Sequence, residues 1–306
     1  MKKEEIAEIL KEYSIGKIIG YKQLNRELHL QPCYIIKTRK RAYFLKKYDI
    51  LKFKTARKGF DLLNFLEKKD YPSVRLIKTI GGKSFIIYKK SPFTLWEYLK
   101  EDAKIKINAK EANELGKYLG ELHHITKNYK MFDAKGYLRY KKMFNESYTF
   151  NSIAPERVKN VLNYIRLKFG GLKVPKNQPK AVCHEEYSIQ HVLFKNNKLI
   201  KIIDWDGVGR DYMFYDLGLT LNTAIKNKKI DFRLLKEIIR GYENKRKLTK
   251  WEKEQLFECL LFGAIKYFCW GNGKEEIKRD GWNYETIEKI ETLIKYEKIF
   301  YTSLGK

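Results

Sequence analysis

Between Ala181 and Asn222 the chain places its acids where they could do chemistry. Two short β-like runs, Ala181 to Cys183 and Leu199 to Ile203, each lead straight into polar residues: His184, Glu185 and Glu186 after the first, Asp204 and Asp206 after the second. Carboxylates delivered at strand ends supply the oxygen ligands that hard cations take. The apolar run Val192 to Phe194 lies between them, and Asn196-Asn197 reads as the turn of a hairpin. The spacing predicts that the two acidic ends converge.

A second candidate lies far upstream. In Tyr43-Phe44-Leu45-Lys46-Lys47-Tyr48, strand alternation puts Phe44 and Lys46 on one face and Leu45 and Lys47 on the other, so one lysine shares a face with apolar side chains. A strand lysine can snorkel its head to water, but a partly buried ammonium wants an anion. Together with the acidic hairpin, such a lysine suits a nucleotide site, with the ammonium on the phosphates and the acids on Mg²⁺.

The elements that must position these residues fall into two unlike halves. Residues 3 to 14 read as an amphipathic helix on Ile6, Ile9, Leu10 and Tyr13. Strands follow at Ile15 to Gly20, Cys33 to Thr38 and Ala42 to Tyr48, joined by a polar stretch around 21–31 and a basic turn at Lys37 to Arg41. A helix over Thr55 to Lys68 and strands at Arg75 to Thr79 and Ser84 to Tyr88, joined by Gly81-Gly82, complete a compact α+β lobe over 1–88. Residues 89–93, holding Pro92, read as a linker, and 94–306 as a helical lobe. Its expected helices are Thr94 to Glu101, Asn108 to Thr126, Arg139 to Tyr148, Pro155 to Phe169, Trp251 to Trp270 behind a Thr249–Glu252 capping box, and Glu285 to Tyr301. His123 and His124 close the second of these, in packing or helix-end roles.

Composition excludes several classes. With 43% hydrophobic and 14% aromatic residues the chain is not a disordered tail. No run of 18 apolar residues occurs, and MKKEEIAEIL carries acids where a signal peptide is apolar, so a cytoplasmic protein without a membrane partner is expected. Cys33, Cys183, Cys259 and Cys269 are scattered, which indicates neither zinc nor disulfides. The net charge of +27 points toward polyanions. Most of that excess, however, is lysine spread along a composition rich in Lys, Ile, Tyr and Asn, so nucleic acid is the weaker reading.

Taken together, these features resemble the aminoglycoside phosphotransferase and choline kinase-like branch of the protein kinase-like fold, and most closely the bacterial spore coat CotS-type kinase-like proteins. The resemblance covers roughly residues 10–300 and rests on Cys183-His184 with Val192-Leu193, then Ile203-Asp204-Trp205-Asp206 and Asp216-Leu217. It implies a two-lobe α+β fold, a small β-sheet lobe with one helix and a larger helical lobe carrying the acidic hairpin. It implies ATP as phosphoryl donor, Mg²⁺ with Mn²⁺ as the alternative, and an unidentified hydroxyl-bearing acceptor, its choice resting on residues 127–176. Residue by residue, Lys46 would meet the phosphates, with Lys47 in its place if the register shifts by one. Asp61 or Glu67 would partner that lysine, and Gly20, with Gly16, would form a sparse phosphate-covering loop. Asp204 and Asp206 would hold metal, Asp216 would brace the loop, and His184 would open it through its ring hydrogen bonds.

Two positions depart from the family's pattern. Glu186 stands where the family has the catalytic Asp, and His191 where it has the metal-binding Asn. Glutamate keeps the charge but moves it by about 1 Å, which can cost orders of magnitude where geometry carries the rate. Imidazole suits Mn²⁺ better than Mg²⁺. The competing expectation is thus a kinase-like binding or spore coat protein with little turnover, partnered by coat proteins and associated with the coat.

Overall fold

The computed structural model describes residues 1–24, 31–101, 103–134, 136–171 and 174–305. Contacts divide the chain into two compact units, Met1–Asp102 with Ile200–Gly207, and Ala103–Leu199 with Val208–Lys306.

In the first unit β1 (Ile18–Gln23), β2 (Cys33–Thr38), β3 (Ala42–Lys47), β4 (Leu76–Ile77), β5 (Ile86–Tyr88) and β6 (Ser91–Glu97) form one antiparallel sheet. Its order is β1-β2-β3-β6-β4, with β5 also on β6. Helix α1 (Lys3–Leu10) lays Ile6, Ile9 and Leu10 on one sheet face, against Tyr34, Ile36, Tyr43, Leu45, Phe93 and Leu95. These sheet residues alternate along their strands, so Cys33, Lys46, Thr94 and Trp96 belong to the other face. Helices α2 (Ile50–Ala56) and α3 (Phe60–Glu67) follow, and Phe60 of α3 meets Trp96 edge-on at 6.2 Å. Lys46 thus sits on the middle strand with both faces of the sheet covered.

Four expectations are corrected here. Residues 89–93 are not a linker: Lys89 and Lys90, both in the left-handed region (φ 45° and 63°), form the tight turn between β5 and β6, and Pro92 lies inside β6. Thr94 to Glu101 is not a helix, because 92–96 are a strand buried on both faces, which shows no alternation and cannot be told from a helix by period. The first unit therefore does not end at residue 88. It also claims Ile200–Gly207, where Ile202 exchanges backbone hydrogen bonds with Pro72 and Val74 at 2.8 Å each. The helix expected over 55–68 starts earlier, because Asp49 caps α2, and it is interrupted by a 3₁₀ turn at Arg57–Gly59. Part of the polar stretch expected around 21–31 lies outside the described residues.

The second unit is mainly helical: α4 (Ala109–Thr126), α5 (Gly136–Tyr148), α6 (Glu156–Gly171), α7 (Met213–Leu221), α8 (Phe232–Glu243), α9 (Lys250–Glu254), α10 (Leu256–Gly271), α11 (Lys274–Asp280), α12 (Tyr284–Tyr296) and α13 (Phe300–Leu304). Asn108 and Thr249 head capping boxes with Glu111 and Glu252. Strand β7 (Lys180–Cys183) pairs with β10 (Gly209–Tyr212), and the Asn196-Asn197 turn, both residues left-handed, leads from β8 (Val192–Lys195) into β9 (Lys198–Ile202). No helix among the described residues is long and apolar enough to cross a membrane.

Helices α4 and α8 approach through glycine. A Cβ on Gly116 would lie 1.9 Å from the Ile238 carbonyl oxygen, and one on Gly241 would lie 2.0 Å from that of Asn113. Because the obstacle is backbone, Gly116→Ala should destabilise by about 3 kcal/mol and lower Tm by about 5 °C or more. Gly20→Ala, which meets open space, should stay within about 0.5 kcal/mol of the parent. Thermal unfolding of the two variants tests this, and an unchanged Tm for Gly116→Ala would contradict the packing.

Candidate active site

In the first unit, Lys46 lies 2.5 Å from Asp206 Oδ2 and 3.6 Å from Asp204 Oδ1. The β3 register places it between Cys33 of β2 and Thr94 of β6, with its side chain only 18% exposed. Tyr48 donates its hydroxyl to Asp206 Oδ1 at 3.0 Å. Asp204 adopts φ 64°, a left-handed turn unusual for a non-glycine residue. Trp205, buried against Tyr71, fixes that turn by donating Nε1–H to the Ile202 carbonyl at 2.9 Å. Burial works against the Lys46 ammonium, but the Tyr48 oxygen and the carboxylates of Asp206 and Asp204 raise its pKa above the usual lysine value, so it stays charged. Burial pushes the nearby Cys33 thiol up to about 11, so this cysteine is a neutral packing group.

Of the two strand lysines it is Lys46 that faces these acids. Lys47 follows on β3 with its ammonium 6.0 Å from the Phe93 ring centre. Asp61 does not partner Lys46: it is exposed on the first turn of α3, and Asp206 takes that place. Glu67 pairs with Arg75 instead. Gly20 lies on β1 beside a register irregularity, with open space around it.

In the second unit the chain leaves β7 into the segment 184–191. Asp216, on the first turn of α7, accepts the amide N–H of His184 at 2.6 Å and of Glu185 at 2.9 Å. Burial would raise the Asp216 pKa, but the neighbouring His123 imidazole, with the charges of His184 and Lys266, holds it below the ordinary carboxylate value. Burial lowers His123 in turn, despite Asp216. Its Nε2 is 3.6 Å from Asp216, beyond hydrogen-bond length, while Nδ1 meets the Tyr242 hydroxyl at 2.7 Å. At neutral pH this pair is a carboxylate beside a neutral imidazole.

Further along the segment, His184 Nδ1 accepts the Glu186 amide at 3.3 Å, and His191 donates Nδ1–H to the Glu186 carbonyl at 2.6 Å. The second bond leaves the neutral His191 lone pair on Nε2, the arrangement found in metal-ligating histidines. The two rings stack at 6.3 Å. Asp216 thus holds the amides at 184 and 185, and the His184 ring accepts the amide at 186.

Behind this segment lies a charged cluster that the sequence reading missed, with Glu185, Asp211 and Lys266 buried and Arg139 reaching the surface. Glu185, itself left-handed at φ 70°, pairs its carboxylate with Lys266 of α10 at 3.1 Å and Arg139 of α5 at 3.2 Å. Asp211 of β10 accepts from the Gly136 and Tyr212 amides at 2.7 Å each, and burial, with Glu185 nearby, raises its pKa to about 6. One signal could have found Lys266: it is the only charged residue between Cys259 and Trp270, on an otherwise apolar helix.

Because folded Asp211 keeps its proton up to about pH 6 and the unfolded chain loses it near 3.8, its contribution is fully present below about pH 4 and is lost as pH rises through 6. The full effect is about 3 kcal/mol. Denaturant unfolding from pH 4 to 7 should show a shallower fall in stability for Asp211→Asn than for the parent. Identical slopes would mean that Asp211 titrates normally.

Residues 23–257 match the family described as "Phosphotransferase enzyme family". The homoserine kinase of Caulobacter vibrioides is 25% identical over 283 residues, 88% of this chain and 88% of that protein. Among solved structures, a microcompartment-associated aminopropanol kinase matches with a TM-score of 0.71 at 15% identity, covering 98% of each chain. An amicoumacin kinase in complex with AMP-PNP and Ca²⁺ matches with a TM-score of 0.70 at 12% identity, covering 97% of this chain and 93% of that one. At these identities the solved structures attest the kinase-like fold alone. The family match spans the Lys46 strand, the segment 184–191 and the Asp204–Asp216 region, and the chain belongs to the phosphotransferase enzyme family.

Proposed function

We propose that this protein transfers the terminal phosphoryl group of ATP to the hydroxyl of a small polar acceptor. The observation that carries this reading is the half-buried, charged Lys46, 2.5 Å from Asp206 and 3.6 Å from Asp204. An ammonium beside two hard-oxygen acids suits the phosphates of a metal nucleotide, with Lys46 on the phosphate oxygens and Asp204 and Asp206 as metal ligands. The carboxylate donors of Asp204 and Asp206 fit Mg²⁺, which takes hard oxygen ligands. The bound cation would neutralise charge on the phosphates. Glu186 takes the hydroxyl proton of the acceptor, the acceptor oxygen bonds to the terminal phosphorus, and the bond from that phosphorus to the bridging oxygen breaks so that the nucleoside diphosphate leaves with the electron pair.

Homoserine and aminopropanol, named for the similar kinases, are both short alcohols that carry an amine. That class is the first to test, by ADP release with L-homoserine and aminopropanol. A kinase-like binding or spore coat protein with little turnover is the second reading, carried by Glu186 and His191 at the two departing positions.

ATP with Mg²⁺ or Mn²⁺ should raise Tm, by an amount that reports RT ln(1 + [L]/Kd). Asp204→Ala should abolish the metal-dependent part of that rise. Lys46→Met should weaken ATP binding by about tenfold or more, the loss of one charge-assisted contact. Undiminished metal-dependent binding in Asp204→Ala would overturn the assignment. In turnover, Glu186→Gln should lower kcat by about 10²–10⁴ with ATP affinity unchanged. ATP binding without ADP release from any acceptor, in the parent and in Glu186→Asp alike, would select the second reading.

A further inference from the structure

We propose that Lys266, buried inside the second unit, is a positioning residue. It holds the backbone of Glu185 in a left-handed conformation and thereby sets where Glu186 presents its carboxylate. The consequence for turnover rests on the phosphotransferase reading above; the conformational part stands on the second unit alone.

The need for a hold comes from Glu185 itself. At φ 70° and 5% exposure it is a long, branched-chain-free but non-glycine residue in a region that such residues rarely adopt. Conformations of this kind persist where the surroundings over-determine them. Here three groups do so. The Glu185 amide donates to Asp216 at 2.9 Å, its carbonyl accepts from Lys266 Nζ, and its carboxylate meets Lys266 at 3.1 Å and Arg139 at 3.2 Å. Lys266 is the only one of these partners that grips the backbone carbonyl and the side chain together. The peptide so held is the one that carries the amide of Glu186, which caps His184 Nδ1.

The ammonium has no simpler reason to be there. Lys266 is 2% exposed, with its Nζ 5.1 Å from the Tyr140 ring centre and 5.4 Å from that of Trp270. A methionine would fill the same space on an apolar helix without the cost of burying a charge. What methionine could not do is donate to the Glu185 carbonyl. Both cations of the cluster turn to the Glu185 carboxylate, while Asp211 beside them is satisfied by two amides.

The test compares the parent, Lys266→Met, Glu185→Gly and the double variant. Amide hydrogen exchange is the readout that does not need an acceptor. In Lys266→Met the amides of Glu185 and Glu186 should exchange at least about tenfold faster, while those of α4 keep their protection. Glycine adopts the left-handed region freely and removes the stranded carboxylate, so the double variant should regain most of the lost protection. Unchanged exchange at 185 and 186 in Lys266→Met would overturn the proposal. So would a uniform loss across α4 that Glu185→Gly does not reverse, since it would make Lys266 a general stability residue. If the parent turns over, Lys266→Met should lower kcat by about 10²-fold with ATP affinity kept within about threefold, and the double variant should recover at least about tenfold of it. An unchanged kcat would overturn the catalytic consequence. A parent without turnover would instead remove the phosphotransferase reading and leave hydrogen exchange to decide the positioning role.

Discussion

The carboxylate of Asp216 accepts the amides of two successive residues, His184 and Glu185, and the rest of the segment depends on that grip. Charge-assisted bonds to consecutive amides fix both the position and the direction of a chain. One turn further along α7, Thr220 donates its hydroxyl to the Tyr187 carbonyl, so the same helix fastens the segment at a second point. Helix α7 is itself pressed onto α10, where a Cβ on Gly218 would lie 2.0 Å from the Cys259 carbonyl oxygen. That close approach places Lys266 on Glu185. A single helix pair therefore supplies the anion for two amides and the cation for the next carbonyl.

Both units pair sheltered charge in the same manner, and the large net charge of +27 obscures it. Lys46 is matched by Asp204 and Asp206, and Lys266 by Glu185. Such pairs add little net stability, because desolvation offsets most of the attraction. Their contribution is a defined geometry, since a charged group released from its partner inside the protein has nowhere favourable to go. The surface lysines face no such constraint, which is why composition pointed to polyanions while the interior points to a site.

How far the sequence disclosed this arrangement differs by residue, for physical reasons. Strand β2 appears with the expected bounds, and the Asn196-Asn197 turn and the Thr249 capping box appear where local chemistry placed them. Each is decided within a few residues. Alternation on β3 separated Lys46 from Leu45 and Lys47, but only the packing of α1 on the Leu45 face decides which lysine turns to the acids. Strand β6 escaped because it is buried on both faces, and Pro92 reads as a break unless its neighbours are known. Tyr48, Arg139, Asp211 and Lys266 escaped for another reason. Their partners lie 158, 46, 75 and 81 residues away, and no periodicity reports a contact of that kind.

The two departures from the family's pattern are bonded to each other. His191 donates Nδ1–H to the carbonyl of Glu186, so the residue at the expected metal-binding Asn position holds the backbone at the expected catalytic Asp position. An imidazole that spends one nitrogen on this bond presents the other at a fixed angle. Glutamate at 186, longer by a methylene than aspartate, starts from a backbone held on one side by Lys266 through Glu185 and on the other by His191. The longer side chain therefore springs from a firmly anchored peptide. Its reach is the variable that remains, and the two departures form one local arrangement, not two separate losses.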